Sequence, residues 1–169
     1  MSDFSLAALY NALDEERTSR GLSWAAAVRQ MSEPFTQGGS RPLAISTVTG
    51  LRTKAAAEGD GVLQMLRWLS RVPESFIDGA SADGGTPLPA VAPHQVLRLD
   101  TRRLHAALNA ARVERGLTWT QVANAIGART TQSTLVHLSK GGRTGFPHVM
   151  RLTRWLNAPL ADFVRITRR

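Results

Sequence analysis

Two stretches of this chain carry the same residues in the same order, so the fold of one constrains the fold of the other. Leu9–Met31 aligns with Leu104–Ile126 at an offset of 95 residues. The identities there are Leu9/Leu104, Ala12/Ala107, Leu13/Leu108, Arg17/Arg112, Arg20/Arg115, Gly21/Gly116, Leu22/Leu117 and Trp24/Trp119. Further on the offset becomes 87, pairing Ser46/Ser133, Thr47/Thr134, Leu51/Leu138, Val62/Val149, Arg67/Arg154, Trp68/Trp155, Leu69/Leu156 and Phe76/Phe163. The change of offset places eight extra residues in the first copy, within the Gly/Pro-rich stretch Ser32–Pro42. The chain is therefore two copies of one small unit rather than a solenoid.

Between the copies lies Gly79–Pro93, GASADGGTPLPAVAP, which reads as a linker because Gly, Pro and small residues dominate. As a flexible coil it spans about 20 Å on average and at most ~50 Å extended. The competing reading is a surface loop packed between the units. The boundaries expected are 1–79 for the first domain, 80–95 for the linker and 96–169 for the second.

Each unit reads as about five short helices. In the second copy Asp100 caps a helix with apolar Leu104, Ala107, Leu108 and Ala111, and Gly116 ends it. Thr118 and Gln121 form a capping box before a helix that buries Val122, Ala123 and Ile126. A third helix over Ser133–Ser139 carries Leu135 and Leu138, and a fourth carries Val149, Leu152, Trp155 and Leu156. A fifth is predicted after Pro159, with Phe163 and Val164. The first copy repeats the pattern with Ser23 as N-cap. No alternating β pattern longer than a few residues stands out.

The basic excess is confined to one half. Residues 1–79 hold 8 Lys+Arg against 9 Asp+Glu, and residues 96–169 hold 13 against 3, so the second copy at +10 carries the whole excess behind the chain's net +8. A basic excess of this kind favours an anionic partner, nucleic acid first and an anionic membrane surface second. Cysteine is absent, which excludes disulfides, thiolate metal ligands and a cysteine nucleophile and fits a cytoplasmic location. Met1–Asn11 has no basic-then-apolar leader, and no run of about 18 apolar residues occurs, so neither secretion nor a membrane span is expected.

The segment Arg115–Gly141, RGLTWTQVANAIGARTTQSTLVHLSKG, resembles the helix-turn-helix of the phage repressor/Cro-like family, also called the xenobiotic-response-element family. The similarity covers most of residues 100–165 and, more weakly, residues 5–78. It rests on Ala123 at the small packing position of helix 2, Gly127 at the turn, and Leu135 and Leu138 on the buried face of helix 3. Trp119 stands where many members have a phosphate-touching glutamine, and the turn from Gly127 to Leu135 is about two residues longer than usual. In the first copy Val28 replaces the small Ala123, and Ser32 replaces Gly127. The resemblance implies an all-α protein, two tandem five-helix repressor-like helix-turn-helix domains joined by a Gly/Pro/Ala-rich linker, with the third helix in the DNA major groove.

On that reading Thr130, Thr131, Gln132, Ser133, Thr134 and His137 read base edges, since short or planar polar side chains at the start and outer face of an inserted helix reach them. Thr131 also has an ordinary role as a helix N-cap. Arg129, Lys140, Arg143 and Arg151 are candidate phosphate contacts, together with Thr118, Trp119 and Thr120 at the N-terminus of helix 2. The first copy offers Arg41, Ser46, Thr47, Gly50, Arg52, Thr53 and Lys54 for a second DNA contact. It also carries the acidic run Asp14–Glu16, and its alternative role is dimerisation or partner binding. The four tryptophans read as core or near-core packing.

Catalysis is not expected. His94, His105, His137 and His148 lack metal-ligand spacing, and there is neither a nucleophile elbow nor a phosphate loop with its lysine. No metal, cofactor or membrane partner is expected. The function expected is a sequence-specific, repressor-like transcriptional regulator of double-stranded DNA, associated with the nucleoid. The alternative is a protein-interaction module on the same fold, such as an antitoxin or adaptor subunit.

Overall fold

The computed structural model describes residues 3–37, 39–77, 85–92 and 94–168. Four α-helices belong to the first repeat: α1 (Leu6–Ser19), α2 (Trp24–Gln37), α3 (Ile45–Thr49) and α4 (Gly59–Leu69). Four belong to the second: α5 (Thr101–Glu114), α6 (Trp119–Ile126), α7 (Gln132–Leu138) and α8 (His148–Leu156). Helices α1 and α5 start and stop at equivalent positions because their signals are equivalent. Ser5 accepts a hydrogen bond from the Ala8 N–H at 3.0 Å, and Asp100 does the same for Arg103 at 3.1 Å.

The repeated Arg–Trp pairs explain each other. Arg17 lies over the Trp24 ring at 4.7 Å and donates to the Leu22 carbonyl at 2.9 Å. Arg112 repeats both contacts with Trp119 at 5.1 Å and Leu117 at 3.0 Å. Arg20 over Trp68 and Arg115 over Trp155 are each at 4.4 Å. These cation–π contacts cover the outer ring faces and close the turn after α1 or α5.

The all-α expectation fails. Four short strands, β1 (Ala57–Glu58), β2 (Gln95–Leu99), β3 (Gly145–Phe146) and β4 (Val164–Arg168), form two antiparallel sheets, β1–β3 and β2–β4. The fifth helix expected after Pro159 is a single 3-10 turn, Leu160–Phe163, and the chain then runs straight into β4. The β-branched Val164, Ile166 and Thr167 favour that extended path. Its partner β2 buries Val96, Leu97 and Leu99, which breaks strict alternation and hides the strand from a period-two search. In the first repeat, among the described residues, the equivalent pairing is seen as one bridge, Phe4 with Ile77.

The eight-residue insertion also differs from expectation. Rather than only lengthening a turn, it extends helix α2 to 14 residues against 8 in α6. Pro34 sits inside α2 and has no N–H to give the Gln30 carbonyl. That carbonyl accepts instead from Arg67 at 3.4 Å, while the Gln30 side chain accepts from the Trp68 indole N–H at 2.9 Å.

The two repeats meet around an approximate two-fold axis. At an offset of 87 the counterpart of Glu58 is Gly145, and these residues lie opposite each other in the β1–β3 ladder. Ala57 pairs with Phe146, and the reciprocal contact is Gly59 N–H to the Thr144 carbonyl at 3.0 Å. Side chains follow the same symmetry. Phe4 packs on Phe146 at 4.9 Å, and its counterpart Leu99 closes on Gly59, the counterpart of Phe146. An isologous contact of this kind normally joins two subunits; here both halves are in one chain.

That contact is apolar at its centre and polar at its edges. One contiguous cluster of buried side chains includes Leu9, Leu63 and Leu66 from the first repeat and Leu97, Leu104 and Phe146 from the second. The buried Gln64 amide donates across to the Leu97 carbonyl at 2.8 Å. Arg98 pairs with Asp60 at 3.0 Å, and Arg151 with Asp3 through two bonds of 2.9 Å. Of the connecting segment, 79–84 and 93 lie outside the described residues. Within 85–92, Leu88 and Val91 pack against the core. The Glu74 carboxylate accepts from Thr86 at 3.2 Å and from Leu160 of the second repeat at 3.4 Å. Burial raises the Glu74 pKa above the ordinary carboxylate value, against the opposing pull of those N–H groups.

Candidate nucleic-acid interface

Helix α7 is held from its inner side. Leu135 and Leu138 are fully buried, and the helix packs on α5 and α6. Its opposite side, with Gln132, Ser133, Val136 and His137, is exposed. Residues 132 and 136 are one turn apart and 133 and 137 likewise, so the four side chains form one outward face.

The start of α7 is fixed by a reciprocal cap. Thr131 Oγ1 accepts from the Thr134 N–H at 3.2 Å, and Thr134 Oγ1 accepts from the Thr131 N–H at 3.1 Å. The Thr134 hydroxyl also donates to the Thr131 carbonyl at 2.7 Å. Both threonines are exposed, but their hydroxyls hold the helix start. Thr130 is half-buried, and its Oγ1 is enclosed without a hydrogen-bond partner. Gln132 leans towards α6, where the Thr120 hydroxyl reaches its Oε1 at 3.5 Å.

The turn before α7 explains its unusual length. Gly127 has φ 73° and ψ −155°, a region open to glycine alone, and Ala128 and Arg129 follow at φ 52° and 65°. Three successive residues with positive φ turn the chain sharply and leave the Arg129 side chain exposed. Non-glycine residues in this conformation store roughly 1–2 kcal/mol each.

Cations flank both ends of α7. Arg129 before it and Lys140 and Arg143 after it are exposed, and their side chains have no hydrogen-bond or acid partner among the described residues. Arg102 from α5 donates to the Lys140 carbonyl at 3.5 Å. Arg151 is placed differently: its guanidinium grips Asp3, whose carboxyl pKa is lowered chiefly by that hydrogen bond. Thr118 and Thr120 are exposed at the start of α6, where Thr118 caps Gln121. Trp119 is half-buried, stacked on His105 at 5.0 Å beneath Arg112.

The first repeat presents a shorter version. Helix α3 has five residues and continues as a 3-10 turn, Gly50–Arg52. Ser46 is exposed and Thr47 half-buried. Lys54 folds over Gly50, Arg52 lies over the Tyr10 ring at 5.3 Å, and the Thr53 hydroxyl donates to the Gly50 carbonyl at 3.4 Å. Arg41 is exposed ahead of α3, beside the second repeat. Two outward residues escaped the sequence reading, Val136 and Ile45, which are 38% and 46% exposed. Both are apolar and so read as core by type. The 87-residue offset that aligns Ile45 with Gln132 was the available signal.

Two of the three acids in the run on α1 are paired within the helix region, Asp14 with Arg17 and Glu16 with Arg20. Among the described residues no group of three or more His, Asp or Glu could hold a metal ion, and no helix is long and apolar enough to cross a membrane. No family model, curated protein or solved structure matches the chain.

Proposed function

We propose that this chain is a sequence-specific double-stranded DNA-binding regulator, repressor-like, that places α7 in the major groove. The observation carrying the reading is the combination on α7 of an outward polar face with unpaired cations at both ends. Gln132 is suited to bridge adenine N6 and N7, Ser133 to a base-edge hydrogen bond, His137 to a guanine acceptor, and Val136 to a thymine methyl. Arg129, Lys140 and Arg143 take the flanking phosphates, which set register but carry no sequence information. Such a protein works in the cytoplasm, on the nucleoid, and needs no metal or cofactor.

The two-fold relation of the repeats supports a contact by α3 as well. It makes one chain equivalent to a dimer whose two reading helices differ, Ile45, Ser46 and Thr49 on one and Gln132, Ser133 and Val136 on the other. The site expected is therefore asymmetric. Selection of bound sites from random duplex DNA tests this directly. The expected result is a site with one strongly and one weakly specified half, and Gln132→Ala changing preference at one base position. Absence of duplex binding at low salt, or unchanged base preference in Gln132→Ala, overturns the reading.

A further inference from the structure

A groove of about 500 Å³ opens where the repeats meet, and its polar lining is dominated by arginines: Arg41 from the first repeat and Arg98, Arg143 and Arg165 from the second. Two acids share it, and both are engaged. Asp60 pairs with Arg98 at 3.0 Å and accepts the Leu99 N–H at 2.9 Å. Glu58 caps α4, accepting from the N–H groups of Asp60 and Gly61 at 3.2 and 2.9 Å. Arg41, Arg143 and Arg165 are exposed and have no ion-pair or hydrogen-bond partner among the described residues. Arg165 also stands directly opposite Arg98 in the β2–β4 ladder; Asp60 neutralises Arg98, which leaves Arg165 as the cation of that pair without a counter-charge among the described residues.

From this arrangement we infer that the groove between the repeats is a phosphate-binding site built jointly by both. Its size falls within the ~300–1,000 Å³ of small-ligand clefts. Planar guanidinium forks match phosphate oxygens bidentately, and a groove whose four arginines outnumber its two acids, Glu58 and Asp60, keeps a basic excess that concentrates anions. The phosphate comes from either of two sources, a free diphosphate-bearing molecule or the backbone of duplex DNA. Arg143 is shared with the proposed DNA contact beside α7, so the inference is separated from that reading by Arg41 and Arg165, which line the groove and lie off that helix.

The test uses the full chain and four proteins: wild type, Arg41→Gln, Arg165→Gln, and Arg29→Gln. Arg29 is an exposed arginine outside the groove, so it controls for loss of one charge. Inorganic pyrophosphate is titrated calorimetrically, and a duplex of random sequence is titrated over a range of salt. If free phosphate is the ligand, pyrophosphate binds, and each groove variant weakens it about tenfold while Arg29→Gln does not. If backbone is the ligand, pyrophosphate is ignored, but the salt slope of duplex binding falls by about 0.9 for each groove arginine removed and stays put for Arg29→Gln. Groove variants indistinguishable from Arg29→Gln in both titrations overturn the inference. That result leaves the base-reading proposal intact, because the latter is judged on Gln132→Ala.

Discussion

Gly59→Ala is the sharpest probe of how the repeats are joined. Gly59 opens α4 and is buried against the second repeat. By helix propensity alone the change is favourable, by up to ~1 kcal/mol. The packing says otherwise. A Cβ built there lies 2.6 Å from the Thr144 carbonyl oxygen and collides with the Leu99 side chain. Relief to an ordinary contact of about 3.4 Å requires a strand shift of nearly 1 Å, enough to break the Gly59–Thr144 hydrogen bond. Losing that bond costs about 1 kcal/mol, and overpacking a filled core adds roughly 1–3 kcal/mol. The net expectation is a destabilisation of about 1–3 kcal/mol, or a Tm lower by roughly 3–10 °C for a chain of this size. Urea and thermal denaturation followed by tryptophan fluorescence measure it. Gly50→Ala is the control, because its Cβ meets only the flexible end of Lys54 at 3.0 Å; it should leave stability unchanged or raise it. Adding Leu99→Ala to Gly59→Ala removes one of the two collisions, so the double variant should be more stable than the sum of the singles implies. A Gly59→Ala protein as stable as wild type, or more so, refutes the close approach of the two repeats at this point.

Gly127→Ala should destabilise by about 1–3 kcal/mol although nothing crowds the added methyl, since the penalty is backbone strain; an unchanged urea midpoint defeats that account. Burial holds the pKa of His148 and His105 below the ordinary imidazole value, aided by Arg151 and Arg112 respectively. As pH falls below 6.5 the unfolded chain takes up these protons before the folded one, so stability should decline with acidification, and His148→Gln should flatten the decline in urea titrations at successive pH values. Glu74 works the other way: with its pKa raised above 4.5, protonation favours the folded state as pH falls through that range, and Glu74→Gln should remove this gain. A fragment covering 96–169 should show no cooperative thermal transition by circular dichroism, because Leu97 and Phe146 lose the neighbours that bury them; a sharp transition with near-native Tm contradicts the shared core.

Local rules carried most of the helical reading. The Asp100 cap, the Thr118–Gln121 box and the inward Leu135 and Leu138 all depend on residues within one or two turns, so spacing alone exposes them. What escaped is non-local. Strand β2 is stabilised by a partner almost seventy residues later and buries Val96 and Leu97 consecutively, so no alternation marks it. The engagement of Arg151 with Asp3 joins opposite ends of the chain, and nothing near either residue signals it. The pairing of Glu58 with Gly145 was implicit in the repeat offset, but an offset identifies equivalent positions without saying that they touch. At α7, residue type located the polar face, whereas Thr131 and Thr134 satisfy each other in a way only the backbone geometry reveals.

Joining both halves of a two-fold contact in a single polypeptide has a consequence for dilution and for inheritance. Two separate subunits meeting through the Phe4–Phe146 surface would come apart as the protein became scarce. Tethered halves meet at a local concentration set by their connection, however few molecules are present. And where a codon change in a paired homodimer is felt twice, here it is felt once, so each half is free to drift towards its own vocabulary while the other keeps the old one.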